Sequence, residues 1–172
     1  MTAPKGRARS ITRYGTPVLH QPCAPVTAFD DALRQLVADM FASMYAARGV
    51  GLAANQIGVD ARIFVYDCPD AADQPHVGHV INPVLVPPAL PVAQVTDHEG
   101  CLSVPGQSAP LARPGLAQVT GFDVNGAPVT VTGTGTLARC LMHEFEHLAG
   151  IVYVDHLSDR ARNRVLAGIG AT

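Results

Sequence analysis

Hydrophobic residues recur at helical spacing in two stretches of this chain. The first stretch carries six of them, all within twelve positions: Leu33, Leu36, Val37, Met40, Phe41 and Met44. This periodicity predicts an amphipathic helix that packs against a core. Thr27 would cap its N-terminus, Asp30 and Asp31 would lie in its first turn, and Gly49 would end it.

A second helix is predicted over residues 136–149, because apolar residues recur there with helical spacing and Gly150 follows them. Residues 62–67 read Arg-Ile-Phe-Val-Tyr-Asp, a run typical of a buried strand. A further strand is predicted over residues 151–155. These elements place the second helix between strands of different parts of the chain.

Residues 116–124 and 127–132 flank an Asn-Gly pair, which is a strong short-range signal for a β-hairpin. Prolines interrupt residues 77–92, so we expect short strands and turns there. The arginine-rich C-terminal segment would form one or two helical turns. The predicted class is α+β, with small antiparallel or mixed sheets packed around a central helix.

The composition is ordinary for a globular protein, and we expect one domain over residues 1–172. The net charge of −2 gives no reason to expect a specific nucleic-acid surface, although it is compatible with a weak ribosome contact. No apolar run reaches the ~18 residues of a membrane span, and the N-terminus lacks the apolar stretch of a secretion signal. We therefore expect a cytoplasmic protein without a membrane partner, whose four cysteines stay reduced.

The strongest chemical signal is the segment from His143 to His147, which has the pattern His-Glu-x-x-His. The two histidines lie one turn apart on the same face of the predicted helix, so both imidazoles can meet one metal ion. Glu144 lies beside them, where it can take a proton from a water molecule that the metal activates. Apolar neighbours predict that this helix is buried, and buried imidazoles need partners.

A catalytic metal site normally has three protein ligands, so a third one is needed. Position 153, where one class of zinc proteases has histidine, is Tyr153, and no glutamate follows Glu146. His156 stays a candidate. Upstream, Cys101 lies in the segment Glu-Gly-Cys-Leu-Ser and would be a natural thiolate ligand in a reduced protein. All three glutamates of the chain lie in these two segments, which sets them apart from ordinary surface charges.

A third segment, from Gly49 to Gln56, follows the first predicted helix and reads GVGLAANQ. Its small residues let the backbone approach a ligand closely, and Gln56 offers a neutral amide donor. The segment lacks the Lys-Ser/Thr of a phosphate-binding loop. Taken alone, it is equally compatible with a tight structural turn.

Together, the three segments resemble the three signature motifs of the peptide deformylase family, in the family's order and spacing. The likeness extends from about Tyr14 to Leu157, and the segment EGCLS is unchanged. Two further segments, IFVYDCP and GTGTLARCL, are similar to those of actinobacterial members. The resemblance implies an enzyme that removes the formyl group from N-terminal formyl-methionine of nascent proteins and releases formate. Its substrates would be N-formyl-methionyl peptides.

The resemblance also implies a role for each matching residue. The metal ligands would be Cys101, His143 and His147. They would hold one divalent metal ion, commonly Fe²⁺, although this donor set also suits Zn²⁺, Ni²⁺ and Co²⁺. Glu144 would act as the general base and then as the acid, and Gln56 and the backbone N–H of Leu102 would form the oxyanion hole. The remaining residues would pair with the substrate backbone (Val50, Gly51 and Gly100), line the methionine pocket (Arg139 and Cys140) or form a supporting ion pair (Glu99 and Arg113).

Two positions depart from the family pattern, which has Gln before the first histidine and Asp as the fourth motif residue. This chain has Met142 and Glu146 there. Neither would bind the metal or act as the base, and Glu146 would pair with an arginine such as Arg113. The departures keep open an alternative function, hydrolysis of a small N-formyl metabolite. A zinc endopeptidase would need a further downstream ligand, and a non-catalytic metal-binding module would have no use for Glu144.

Overall fold

Seven β-strands and three α-helices form within residues 4–169, the part of the chain that this computed structural model describes. The helices are α1 (Asp31–Ala46), α2 (Gly135–His147) and α3 (Asp159–Ile169). The strands are β1 (Gly51–Ala53), β2 (Ile63–Pro69), β3 (Pro75–Val86), β4 (Gln94–Cys101), β5 (Val104–Pro114), β6 (Leu116–Phe122) and β7 (Pro128–Thr134). The predicted α+β class is confirmed.

The strands form two antiparallel sheets. The larger sheet has the order β1-β2-β3-β6-β7, and the smaller sheet pairs β4 with β5. Helix α2 packs on the larger sheet, where its Leu137 and Leu141 join Phe64, Val80 and Val119 in one buried cluster. Helix α2 also contacts β5, so it lies where the two sheets meet.

Helix α1 covers the β1–β2 end of the larger sheet through the predicted apolar stripe, and its buried members include Leu33, Val37, Met40 and Met44. Its ends differ from the prediction. The N-cap is Asp30, whose carboxylate accepts a hydrogen bond from the backbone N–H of Leu33 at 3.0 Å. A carboxylate satisfies a free N–H of the first turn and favours its positive dipole end, so Asp30 replaces Thr27 as the cap. The helix ends at Ala46, three residues before the predicted Gly49.

The predicted strand over residues 62–67 and the predicted hairpin are confirmed as β2 and as β6–β7. The expectation of short strands over residues 77–92 is wrong, because β3 continues to Val86. A register shift between Ile81 and Val84 accommodates Asn82 and Pro83, and Asn82 has φ +50°. The Asn82 side chain bridges the backbone N–H and carbonyl of Val26, at 2.8 and 2.9 Å. A bulge therefore absorbs the proline that was expected to break the strand.

Helix α2 confirms the second predicted helix, and Gly150 adopts the left-handed φ of +80° just beyond it. A Cβ at Gly150 would lie 2.6 Å from the backbone nitrogen of Gln21, so only glycine fits. The predicted strand over residues 151–155 is wrong: Tyr153–His156 forms a 3₁₀ turn. The C-terminal helix α3 has eleven residues, more than the one or two turns expected. No described helix has the length and apolar character needed to cross a membrane.

Candidate metal centre and active site

Three side chains from two elements bring their donor atoms together at the junction of the sheets. Cys101 ends β4, just beyond a register shift in the β4–β5 ladder, and His143 and His147 lie one turn apart on α2. Their ligand atoms all lie within 4.8 Å of one another. His147 Nε2 is 3.2 Å from Cys101 Sγ and 3.1 Å from His143 Nε2. The predicted ligand set is therefore assembled in space.

The donor chemistry fits a divalent metal ion. Metal–nitrogen bonds of about 2.0–2.1 Å and metal–sulfur bonds of about 2.3 Å, at tetrahedral angles, place donor atoms about 3.3–3.6 Å apart. The observed separations of 3.1 and 3.2 Å are close to that range. The His147 imidazole is fully buried, and its Nδ1 has no hydrogen-bond partner among the described residues. This unpaired Nδ1 is not the ring nitrogen that approaches the other donors, so the fit to a metal rests on the three converging atoms, which are the nitrogen and sulfur types that Zn²⁺ and Fe²⁺ bind.

Glu99 fixes the orientation of one of these imidazoles. Its carboxylate is 2.7 Å from His143 Nδ1, and it also accepts hydrogen bonds from Arg113 at 2.7 and 3.0 Å and from Arg139 at 2.9 Å. Because a carboxylate accepts only, Nδ1 carries the hydrogen, and in the neutral imidazole the Nε2 lone pair then faces Cys101 and His147. Burial would raise the pKa of Glu99, but the hydrogen bonds from His143 and Arg113 hold it well below its usual range. The predicted Glu99–Arg113 pair is thus present.

Arg139 was predicted to line the methionine pocket. It does face the cavity described below, but its guanidinium is engaged elsewhere. Besides Glu99, it donates to the carbonyl oxygens of Leu111 and Val95, both at 2.9 Å. Arg139 therefore ties α2 to both strands of the smaller sheet.

Glu146 pairs with Arg113, as the sequence predicted. Its Oε1 accepts from Arg113 at 2.8 Å, and its Oε2 lies 2.9 Å from His156 Nε2. His156, the alternative third ligand, therefore contacts Glu146 and does not belong to the cluster of three donor atoms. Glu146 thereby links α2 to β5 and to the 3₁₀ turn after α2.

Glu144 is buried beside the donor atoms, and its Oε2 has no hydrogen-bond partner among the described residues. Burial raises its pKa to about 7, while the nearby His143 acts in the opposite direction. The carboxylate can therefore exchange a proton near neutral pH. Gly51 makes room for it, because a Cβ there would lie 2.5 Å from Glu144 Oε1 and 2.7 Å from Cys140 Sγ.

Gln56 is fully buried beneath the cysteine ligand. Its Oε1 accepts from the N–H of Ala53 at 2.9 Å, which points the amide nitrogen away from that strand. The amide nitrogen donates to Ser103 Oγ at 3.2 Å and contacts Cys101 Sγ at 3.4 Å. Gln56 therefore presents a fixed amide N–H at the Cys101 sulfur.

A cavity of about 360 Å³ connects these groups with solvent. Of the thirteen residues predicted to bind metal or substrate or to support them, the cavity wall contains all but His147 and Arg113. Val50 is half exposed on this wall, and its carbonyl already accepts the N–H of Asp67 at 2.9 Å. The sequence-distant motifs thus meet around one opening.

Several residues beside the site received no role from the sequence, His98 and Thr136 of the cavity wall among them. Asn55 donates to the backbone carbonyl of His147 at 2.6 Å, and Ser103 holds Gln56. Tyr153 stacks on His143 at a ring-centroid distance of 6.3 Å. Arg48 lies in the cavity wall. Asn55 lies in the segment from Gly49 to Gln56, and Ser103 lies in the Glu-Gly-Cys-Leu-Ser segment, so the sequence could have indicated a role for both. No motif of the sequence linked Tyr153 or Arg48 to the site.

A family model described as polypeptide deformylase matches residues 8–163. The chain belongs to the polypeptide deformylase family. Its curated relatives in the family include peptide deformylase 1 of Streptomyces avermitilis, 56% identical over 163 residues, which are 94% of this chain and 76% of that protein. Peptide deformylase 2 of Streptomyces coelicolor is 55% identical over 94% of this chain and 89% of that protein.

Solved structures of the family have the same fold. The peptide deformylase from Legionella pneumophila is 37% identical, with a TM-score of 0.86 over 95% of this chain and 94% of that chain. The peptide deformylase from Ehrlichia chaffeensis in complex with actinonin is 35% identical, with a TM-score of 0.86 over 96% of this chain and 97% of that chain. Members of the deformylase family are hydrolases that remove the N-formyl group from nascent proteins.

Proposed function

We propose that this chain hydrolyses the formyl group from the N-terminal formyl-methionine of nascent proteins, with formate and a free amino terminus as products. The observation that carries the proposal is the convergence of three metal-type donor atoms and one buried carboxylate, Glu144, on a single cavity. Membership of the deformylase family supports the same reaction. Residues 1–172 would act as one catalytic domain.

Cys101, His143 and His147 would hold one divalent metal ion, with Fe²⁺ as the proposed native ion. When bound, the ion would act as a Lewis acid that activates water and polarises the formyl carbonyl. Glu99 would keep the His143 imidazole in the tautomer that ligation needs, because its carboxylate accepts from Nδ1. Glu146 would support this arrangement through Arg113, which bonds to both carboxylates.

Glu144 would take the proton of the attacking water as the bond between water oxygen and formyl carbon forms. Its raised pKa of about 7 supports this exchange near neutral pH. Negative charge then builds on the former carbonyl oxygen. The Gln56 amide and the Leu102 backbone N–H would stabilise it, an effect typically worth about 3 kcal/mol for each donor. Glu144 would return the proton to the amine nitrogen as the carbon–nitrogen bond breaks.

The methionine side chain would occupy the part of the cavity lined by Leu102 and Cys140. The Cys140 thiol is buried, and its hydrogen bond with Cys68 and its burial raise its pKa, so it offers a neutral, polarisable surface. Backbone groups of Val50, Gly51 and Gly100 would pair with the substrate backbone. Support comes from the sheet order, because β1 and β4 each pair with a single strand on one side.

Formyl-methionine begins chains on the ribosome, so we place the proposed activity in the cytoplasm, with at most a weak ribosome contact. The absence of a membrane-spanning helix among the described residues is compatible with this location. The competing hypothesis is that the substrate is a small, free N-formyl metabolite. The cavity opens to solvent, which suits a peptide that extends beyond its first residue.

The test is formate release from formyl-Met-Ala-Ser by protein purified without oxygen and loaded with Fe²⁺. The wild type should release formate, while acetyl-Met-Ala-Ser and unblocked peptides should stay intact. Cys101→Ala should lose both bound metal and activity. Glu144→Gln should keep the metal but lose turnover by about 10²–10⁴-fold, because an amide cannot accept the water proton.

Retention of more than a tenth of the rate in Glu144→Gln would overturn its role as base. Metal content and rate near wild type in Cys101→Ala would overturn the ligand assignment. Cleavage of unblocked peptides would favour an endopeptidase, and a strong preference for a free formylated metabolite would favour the competing hypothesis.

A further inference from the structure

Arg48 is the charged residue of the cavity wall that has no partner for its side chain among the described residues. The other ionisable groups on this wall are engaged or buried: Glu99 and Arg139 pair with each other, His143 bonds to Glu99, the exposed His98 contacts Ser108 Oγ at 3.3 Å, and Glu144 is buried. The Arg48 side chain is exposed and forms no ion pair with another residue of the part of the chain that the structure describes. The mouth of the cavity therefore carries an uncompensated positive charge.

The backbone holds Arg48 in an unusual and defined conformation. Its φ is +58°, in the left-handed region that non-glycine residues rarely adopt. Its N–H donates to the carbonyl of Tyr45 at 3.0 Å, and the N–H of Gly49 donates to the carbonyl of Met44 at 2.9 Å. These bonds close the C-terminal end of α1, so the strained residue is fixed by the turn that surrounds it. Glycine would adopt this φ without cost, yet the chain has arginine here.

Gly49 places Arg48 next to the site. A Cβ at Gly49 would lie 2.7 Å from Leu102 Cδ1, so this glycine packs directly on the residue that follows the cysteine ligand. On the other side, Val50 is 50% exposed and lies in the same wall. Arg48 thus stands where the wall of the cavity meets solvent.

A formyl-peptide must pass this rim. Its formyl group has to reach Glu144 and the donor atoms at the inner end, so the residues after the methionine leave through the open end. An extended peptide advances about 3.4 Å per residue, so its second and third residues would follow the methionine outward along this wall. Arg48 is a flexible cation that reaches several ångströms from its Cα, so it can contact either residue.

We propose that Arg48 is a specificity-determining residue that favours formyl-methionyl peptides with an acidic side chain at the second or third position. The proposal rests on the proposed deformylase function and extends it to the substrate beyond methionine. An exposed ion pair changes an equilibrium by up to about fivefold, and the effect falls with added salt. The preference should appear mainly in KM, because an ion pair with a residue beyond the methionine does not involve the reacting atoms.

The experiment compares kcat and KM for formyl-Met-Glu-Ser, formyl-Met-Gln-Ser and formyl-Met-Lys-Ser, all with amidated C-termini so that the side chain is the only variable charge. A second series places the same residues at position three. We expect the wild type to prefer glutamate over lysine by about fivefold in one series. Arg48→Gln should bring the ratio to within twofold, Arg48→Lys should keep the preference, and Arg48→Glu should invert it.

The matched control is Arg164→Gln, which removes an exposed arginine of α3 that likewise forms no ion pair within residues 4–169 and lies outside the cavity wall. It should keep the wild-type preference. Equal turnover of the glutamate and lysine peptides by the wild type in both series, or an unchanged preference in Arg48→Gln, would overturn the proposal while leaving the deformylase function intact. Failure of the wild type to release formate from formyl-Met-Gln-Ser would instead refute the function itself.

Discussion

Replacing Glu99 with glutamine would keep the shape of the side chain and remove its charge from the centre of a buried network. Glu99 accepts from Arg113, Arg139 and His143, and its side chain is only 3% exposed. A glutamine offers one oxygen acceptor in place of two, so at least one donor would lose its partner. Arg113 would keep the carboxylate of Glu146, whereas Arg139 would keep only the backbone carbonyl oxygens of Leu111 and Val95.

The cost can be estimated from this geometry. Removing one partner of a buried ion pair typically costs 3–5 kcal/mol, and we expect the lower end, about 3 kcal/mol, because Arg113 keeps Glu146. For a chain of this length, each kcal/mol shifts Tm by about 2–4 °C, so Tm should fall by about 6–12 °C. Loss of the acceptor for His143 Nδ1 should also weaken metal binding by about 10–100-fold.

Two assays separate these effects. Thermal unfolding of the metal-free protein measures the structural cost, and competition with a chelator measures the metal affinity. The control is Asp97→Asn on the same strand, where the carboxylate is exposed and accepts only the neighbouring backbone N–H of His98. If Glu99→Gln lowers Tm by less than 2 °C and leaves the metal affinity unchanged, the view that Glu99 joins α2, the smaller sheet and the metal site is refuted.

Two further substitutions address the remaining charged contacts. Glu146→Asp should lower activity on a formyl-methionyl peptide by less than about tenfold, because the shortened side chain can keep its contact with Arg113 or with His156 but not both. Activity is measured beside that of Glu146→Ala, and a hundredfold gain of the Asp variant over wild type would contradict this expectation. For Asp39, burial opposes ionisation, but donors that include the Arg9 guanidinium outweigh it and hold its pKa below the usual value of about 3.9. The ionised Asp39 carboxylate should therefore stabilise the fold fully above that pH, and this stabilisation should disappear as the pH falls through the lower pKa of the folded state. The Tm difference between wild type and Asp39→Asn should be constant from pH 7 to 5 and shrink at lower pH. A difference that grows on acidification would contradict the assignment.

Elements with strong local signals were predictable from the sequence. Helix α2 has an apolar stripe and a terminating glycine, and the β6–β7 hairpin has an Asn-Gly pair in its loop. The HExxH pattern placed both histidines on one face because helical geometry is local and fixed. The position of Cys101 beside them was inferred from ligand chemistry and from resemblance, and the structure assembles the three.

The smaller sheet was not predicted, although it carries Cys101. Strand β4 is exposed along most of its length, so it lacks the alternation of apolar and polar residues that marks a half-buried strand. Strand β5 contains three prolines, which argue against a strand unless it has a free edge, as it does in a two-stranded sheet. The partners of Arg139 lie 28 to 44 residues away in the chain, and no local pattern reports such contacts.

The two departures from the family pattern lie on surfaces of α2 that face away from the cavity. Met142 is buried in the apolar cluster between α2 and the larger sheet, and Glu146 spans Arg113 and His156; neither residue belongs to the cavity wall. A methionine fills that core position without a polar atom that needs a partner, and a glutamate reaches both of its partners with one carboxylate. A change of substrate would require altered residues where the substrate binds, and these two positions do not contact that space. The residue that can distinguish this chain's substrates is therefore to be sought at the cavity mouth, where Arg48 stands unpaired among the described residues.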